Sequence, residues 1–240
     1  MSRLVLVRHG QAAAFSEQPD RLTALGWEQA RALGHHWCEC GLRVDAAFHG
    51  TLRRQRETFD AVRGAFRAAG AAFPRATVEP GLDEYAAQDL VRTIGPQIAR
   101  AESDFALLWE AWVASTSAPD RNRHFQRMFE NLAGRWSRGE LSHPGLEPWS
   151  DFRSRANAAL SRIRAGHKKG ATVVAFTSGG PIGVAVQSCL GAPPEAALAI
   201  NWRVRNCSLT SFLFSGARVS LDAFNEMPHL ATNPALVSFR

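Results

Sequence analysis

Leu4-Val5-Leu6-Val7-Arg8-His9-Gly10 is the stretch on which the fold turns. Four aliphatic residues without helical spacing read as a strand buried on both faces, the pattern of a parallel sheet covered by helices. The run stops at Arg8-His9-Gly10, so the strand delivers a guanidinium and an imidazole to its own C-terminal end. Ligand sites of open α/β sheets lie just beyond such ends. An imidazole there can attack phosphorus through a ring nitrogen, while a neighbouring guanidinium holds the phosphoryl oxygens with its planar fork of donors. A strand-to-turn junction with a surface histidine would look the same over three residues, so the rest of the chain has to separate the two readings.

Downstream the pattern alternates. Leu22-Thr23-Ala24-Leu25-Gly26 leads into a helix from Trp27 to Trp37, with Thr23 as its N-cap. Val44 to Phe48 is a second strand, running into His49-Gly50-Thr51, and Leu52 to Phe66 is an arginine-rich amphipathic helix. Thr77-Val78-Glu79 is a short strand ahead of Gly81-Leu82-Asp83-Glu84. From Tyr85 to Gly145 only helical segments follow, rich in tryptophan, and they read as an inserted helical lid (85–145) folding over the sheet of a single domain, 1–240. Asp151 to Ala165 is another helix. Ala171 to Phe176 is a buried strand ending in Thr177-Ser178-Gly179-Gly180-Pro181, and Pro181 suits the first turn of a helix to Leu190. Ser208 to Phe214 and Arg218 to Phe224 are two more strands around a Ser215-Gly216 turn. Strands alternating with helices imply an α/β fold: a mostly parallel sheet with helices on both faces.

If those strands are parallel, their ends share one edge. His9 with Arg8, His49 with Arg54 one helical turn later, Glu84, and Ser178 with Gly179 then converge. Together they offer a nucleophile, two guanidinium clamps, a carboxyl acid and a helix N-terminus after Gly180 whose N–H groups suit an anion. Gln11 and Thr23 fall on the substrate side. Helical geometry turns Arg53 about 100° and Arg56 about 200° away from the direction of Arg54. The arginines neutralise charge and no carboxylate cluster stands ready for magnesium, so no metal or other cofactor is expected.

Composition bounds the partners. The 240 residues are 45% hydrophobic, enough for a sizeable core. No run approaches the roughly 18 apolar residues of a membrane span, and the first strand begins almost at Met1, leaving no room for a cleavable leader. A soluble, cytoplasmic protein without a membrane partner is the expectation. Cys38, Cys40, Cys189 and Cys207 form no CxxC pair and read as incidental thiols. The net charge of +6 invites a nucleic-acid reading, but all 28 basic residues except Lys168 and Lys169 are arginines scattered through an alanine-rich chain. That is a compositional bias rather than a binding stripe, so no nucleic-acid partner is expected, although anionic ligands would be drawn in.

The ordered set of motifs resembles the histidine phosphatase superfamily, also called the phosphoglycerate mutase-like family. The matches are Leu4 to Gly10, Leu22 to Ala30, Leu52-Arg53-Arg54-Gln55-Arg56-Glu57-Thr58, Leu82-Asp83-Glu84, Glu147 with Asp151-Phe152 and Arg155, Gly179 to Ile182, Asn206-Cys207-Ser208 and His229-Leu230. The resemblance implies a three-layer α/β/α sandwich with a helical lid and a metal-independent phosphatase acting on a small phosphorylated metabolite or a phosphoprotein. It implies that His9 becomes phosphorylated, that Arg8 and Arg54 grip the phosphoryl group, and that Glu84 is proton donor and then base for water. His229 would have a structural place near the nucleophile or a catalytic one.

Two departures stand out. Relatives carry a second histidine where this chain has Ser178, and many carry a phosphate-contacting asparagine where it has Phe15. A compensating exchange is open: His49 stands where relatives have serine, and is either the second imidazole or a tolerated surface residue. A relative that binds phosphate or a phosphoprotein without turnover is the alternative. A phosphomutase is less favoured, because Tyr85-Ala86-Ala87-Gln88 lacks the mutase continuation. Neither the substrate's identity nor an oligomeric state is written in these motifs.

Overall fold

Alternation along the first strand, Ser2–Arg8 (β1), sends Leu4 and Leu6 to one face and Val5 and Val7 to the other, and all four are buried. This is what an aliphatic run does at the centre of a doubly covered sheet. The computed structural model describes residues 1–13 and 20–239. Its other strands are Ala46–His49 (β2), Ala76–Val78 (β3), Thr172–Thr177 (β4), Leu209–Ser215 (β5) and Arg218–Glu226 (β6). They lie in the order β3-β2-β4-β1-β5-β6. The first four strands pair in parallel, and β5 and β6 add an antiparallel edge. The expected three-layer α/β fold with a mostly parallel sheet is therefore present.

The helices are Ala24–Glu39 (α1), Arg53–Ala68 (α2), Ala87–Asp89 (α3), Gly95–Ala101 (α4), Ser103–Val113 (α5), Ala118–Ser137 (α6), Trp149–Arg164 (α7), Gly179–Leu190 (α8) and Ala196–Asn201 (α9). On one face of the sheet, Leu33 and Trp37 of α1 and Phe59, Val62 and Phe66 of α2 pack on Val5, Val7, Val174 and Phe176. On the other, Leu160 and Ile163 of α7 and Ile182 and Val186 of α8 pack on Leu4, Leu6, Val173 and Ala175. Each such side chain contributes about 1.5–3 kcal/mol by leaving water. Gly34 lets α1 and α2 approach, since a Cβ there would lie 2.6 Å from Cβ of Ala65.

Two compact units divide the chain: Met1–Glu84 with Arg155–Arg240, and Tyr85–Ser154. The second unit has its own aromatic centre, in which Trp136 stacks edge-on against Trp149 and lies beside Tyr85, both at 5.1 Å between ring centroids. A second ladder of rings runs Trp109, Trp112, Phe125, Phe129. Trp136 and Trp149 thus pack as core, while Trp109 and Trp112 pack on each other half-buried. Among the described residues, no helix is long and apolar enough to cross a membrane.

Candidate active site

Period-two alternation carries past the strand ends. Val5, Val7 and His9 follow one face of β1, Val174, Phe176 and Ser178 the same face of β4, and Ala47 and His49 the same face of β2. That face is the one covered by α2, which brings Arg54. His9 is buried, and its backbone N–H continues the parallel ladder by donating to Thr177 at 2.9 Å.

The imidazole is held at both nitrogens. Nδ1 lies 2.8 Å from the Gly10 carbonyl, and Nε2 accepts from Nε of Arg54 at 3.1 Å. A guanidinium only donates, so Nε2 carries the lone pair and Nδ1 the proton. Burial, then the charges of Arg54 and Arg8, hold the imidazole well below the ordinary histidine value, against an opposing pull from the Gly10 carbonyl. The ring is therefore neutral at physiological pH, with its lone pair on the outer nitrogen.

The turn behind His9 is packed without slack. The Gly10 N–H donates to Thr58 Oγ1 at 3.0 Å, Asn206 Nδ2 donates to the His9 carbonyl at 3.2 Å, and a Cβ on Gly10 would strike the Gly26 carbonyl. Cys207, at φ +56, adds its N–H to the Arg8 carbonyl at 3.1 Å. Gln11 and Thr23 bind each other: Thr23 Oγ1 donates to Gln11 Oε1 at 2.8 Å and accepts from the Gly26 N–H at 3.1 Å, as the expected N-cap of α1.

The other expected site residues divide. Arg54 is half-buried and faces His9, while Arg53 and Arg56 are exposed. Arg8 acts on His9 through its charge, but its Nη1 donates to the carbonyls of Val204 and Phe239, the latter at 2.8 Å. Glu84 receives the Gly180 N–H on both carboxylate oxygens at 3.1 Å. The helix N–H expected to be open to an anion is thus capped by the chain's own acid, and Gly179 lies against Asn201, leaving no room for a side chain there. The turn carrying Glu84 is clamped by Arg155, which donates to the carbonyls of Asp83 at 2.8 Å and of Gly81 and Glu84 at 3.4 Å.

His49 is not brought to His9. It is the last residue inside β2, paired with Phe176, whereas Ser178 and His9 lie beyond the strand ends. The register leaves it two residues short, roughly 7 Å along the strand, with β4 intervening. Its Nδ1 bonds the Gly50 carbonyl at 2.6 Å and its ring packs on Phe59, with centroids 5.5 Å apart. Among the described residues, no hydrogen bond joins it to His9, Arg54 or Ser178. His229 is buried beside His36, with neither ring nitrogen hydrogen-bonded. Phe15 lies outside the described residues.

Two contributors escaped the sequence reading. Asp20 accepts from Arg54 Nη1 at 2.6 Å and from the backbone N–H of Arg53 at 2.6 Å, so it anchors Arg54 and caps α2, whose own N-cap, Leu52, has no side-chain acceptor. Nothing local signals this contact between distant positions. Gln55 is fully buried and donates to Ser178 Oγ at 2.9 Å. Its signal was a polar residue within the apolar stripe of Phe59, Val62 and Phe66. No group of three or more His, Cys, Asp or Glu that could hold a metal ion occurs among the described residues.

The profile of the histidine phosphatase superfamily (branch 1) matches residues 4–138 and 120–227. The chain belongs to this superfamily. Solved structures with the same fold include YhfR of Bacillus stearothermophilus, 20% identical with a TM-score of 0.65 over 96% of this chain and all of that one. A mycobacterial glucosyl-3-phosphoglycerate phosphatase in complex with inorganic phosphate is 23% identical, with a TM-score of 0.61 over 95% of this chain and 99% of its own. A phosphoserine phosphatase mutant from Entamoeba histolytica in complex with phosphoserine is 16% identical, with a TM-score of 0.56 over 96% and 100%. No curated protein sequence gives a significant match. Within the superfamily's fold, the strand-end cluster of His9, Arg54, Arg8, Ser178 and Glu84 is the candidate site.

Proposed function

We propose that the chain is a metal-independent phosphomonoesterase working through a phosphohistidine at His9. The observation that carries this reading is the geometry of the buried His9 ring, with Nδ1 2.8 Å from the Gly10 carbonyl and Nε2 3.1 Å from Arg54 Nε, an arrangement that favours a neutral imidazole with its lone pair on Nε2. Nε2 would attack phosphorus in line as the ester oxygen leaves with a proton from Glu84. Water would then attack the phosphohistidine, returning its proton to Glu84 and releasing phosphate. Arg54 and Arg8 supply the positive charge that a divalent cation would otherwise bring.

The superfamily's structural neighbours include complexes with phosphoserine and with inorganic phosphate, which supports a small phosphoester as substrate ahead of a phosphoprotein. The unpaired Cys38, Cys40, Cys189 and Cys207 fit the reducing cytoplasm. In this reading Ser178 replaces the second imidazole of relatives, and His49 is a packing partner of Phe59. Near-normal turnover of His49→Ala is the expected result, and a loss beyond about tenfold would return His49 to the site.

The second reading, a relative that binds phosphate without turning over, is favoured by Ser178 alone, because a hydroxyl brings no charge. Incubation with p-nitrophenyl phosphate followed by rapid denaturation separates the two. An acid-labile phosphate on the wild-type chain, absent from His9→Ala, is expected; a wild-type chain that never becomes labelled and releases no nitrophenol would sink the phosphatase reading.

A further inference from the structure

A polar side chain inside an apolar helical stripe needs a partner worth keeping. Gln55 shares its stripe of α2 with Phe59, Val62 and Phe66 and has no exposed surface. Both hydrogens of its amide nitrogen are engaged: one goes to the Leu82 carbonyl and one to Ser178 Oγ, each at 2.9 Å. A carbonyl only accepts, so the Leu82 contact fixes which end of the amide is nitrogen. Oε1 is then left buried without a partner, a loss the fold tolerates in order to keep the two donations. Gly50 preserves the arrangement, since a Cβ there would run into Gln55 Oε1 and Asp83 Oδ1.

Ser178 is the N-cap residue of α8, where a serine hydroxyl ordinarily turns back to an N–H of its own helix. No such bond forms, and the Gly180 N–H goes to Glu84 instead. The hydroxyl, fully buried, accepts from Gln55, which leaves its own hydrogen to donate. His9 and Ser178 each follow directly on a paired position, Arg8 and Thr177, on the α2 face of the sheet. We infer that Gln55 is a positioning residue, fixing the Ser178 hydroxyl as a donor to the phosphoryl group at His9. This rests on the phosphatase reading of the site, with the amide and hydroxyl together standing in for a charged donor.

Inorganic phosphate titration, which needs no turnover, tests the inference. Gln55→Leu and Ser178→Ala are each expected to weaken phosphate binding about tenfold, the worth of one hydrogen bond, and the double variant no further than the weaker single. Losses that multiply in the double variant would mean that Gln55 acts by general packing, and would overturn the assignment. Gln55→Glu supplies a readout that packing would not move. Its carboxylate cannot donate but its protonated form can, so its affinity relative to wild type should recover as pH falls from 7 to 5. A ratio flat with pH would also overturn the assignment, and this variant carries the test should Gln55→Leu fail to fold. Coupling without any label on His9 would remove the phosphatase reading alone. Labelling without coupling would remove the role of Gln55 alone, and a wild-type chain that binds no phosphate would remove both.

Discussion

Arg54 donates Nε–H to Nε2 of His9 across 3.1 Å while its Nη1 binds Asp20 at 2.6 Å, so one guanidinium both meets the imidazole lone pair and is tethered from behind. Only a planar fork makes both contacts at once. Arg54→Lys keeps the charge and loses the geometry. Phosphatase turnover is expected to fall about a hundredfold or more, measured as kcat on p-nitrophenyl phosphate. A lysine variant within threefold of wild type would mean that charge alone suffices.

If Arg54 grips phosphate as proposed, Asp20, which already binds Arg54 Nη1 at 2.6 Å, would compete for the same guanidinium. The pair is partly exposed, with side-chain exposures of 18% for Arg54 and 39% for Asp20, so its coupling belongs in the range of about 0.2–1 kcal/mol. Asp20→Asn keeps an acceptor for the Arg53 N–H and removes the competing charge. Inorganic phosphate should inhibit this variant at concentrations about twofold to fivefold lower than wild type, and an unchanged inhibition constant would argue that Asp20 only anchors.

Arg155 holds three carbonyls of the turn that ends in Glu84. Arg155→Met removes the Arg155 donors from those carbonyls and frees the turn that carries Glu84. Stability to urea is expected to fall by about 1–3 kcal/mol. On the proposed mechanism the kcat should fall with it while KM changes little, because Glu84, the proposed proton donor, is displaced rather than the arginines proposed to hold phosphate.

His229 gives the fold an acid limit. Burial, helped by the charge of His36, lowers its pKa to about 4, and neither ring nitrogen has a hydrogen-bond partner. A histidine depressed in the folded state binds its proton more readily when unfolded, so stability is complete above about pH 6.5 and is lost as pH falls toward 4. The loss from this residue is about 3 kcal/mol at the lower end. His9, depressed in the same direction, adds to it. His229→Phe removes a buried group that bonds nothing, so its melting temperature at pH 5 should exceed that of wild type and the difference should shrink at pH 8. Parallel pH curves for the two chains would contradict the assignment.

The strands and helices were legible because their signal is local. Aliphatic runs with no helical spacing became β1 and β4, the stripe of Phe59, Val62 and Phe66 became the buried face of α2, and Thr23 caps α1 as its residue type and position require. The end of β2 was harder. His49 reads as the residue after a strand, yet pairing with Phe176 of β4 extends β2 to include it, and register is a property of two segments rather than one. The acid had the same difficulty. Glu84 was visible as a carboxyl at a strand end, but not that the N–H of Gly180 would receive it.

The sequence by itself determined the layered α/β fold, the order of its elements and the placing of His9 at the end of a central strand, because hydrophobic periodicity and strand termini are written within a few residues of each other. Tertiary structure alone decided which nitrogen of His9 carries the lone pair, that Asp20 tethers Arg54, that Gln55 holds Ser178 and that His49 stays two residues short of the edge. Those facts depend on contacts between segments far apart in the chain and on strand register, which no local pattern contains.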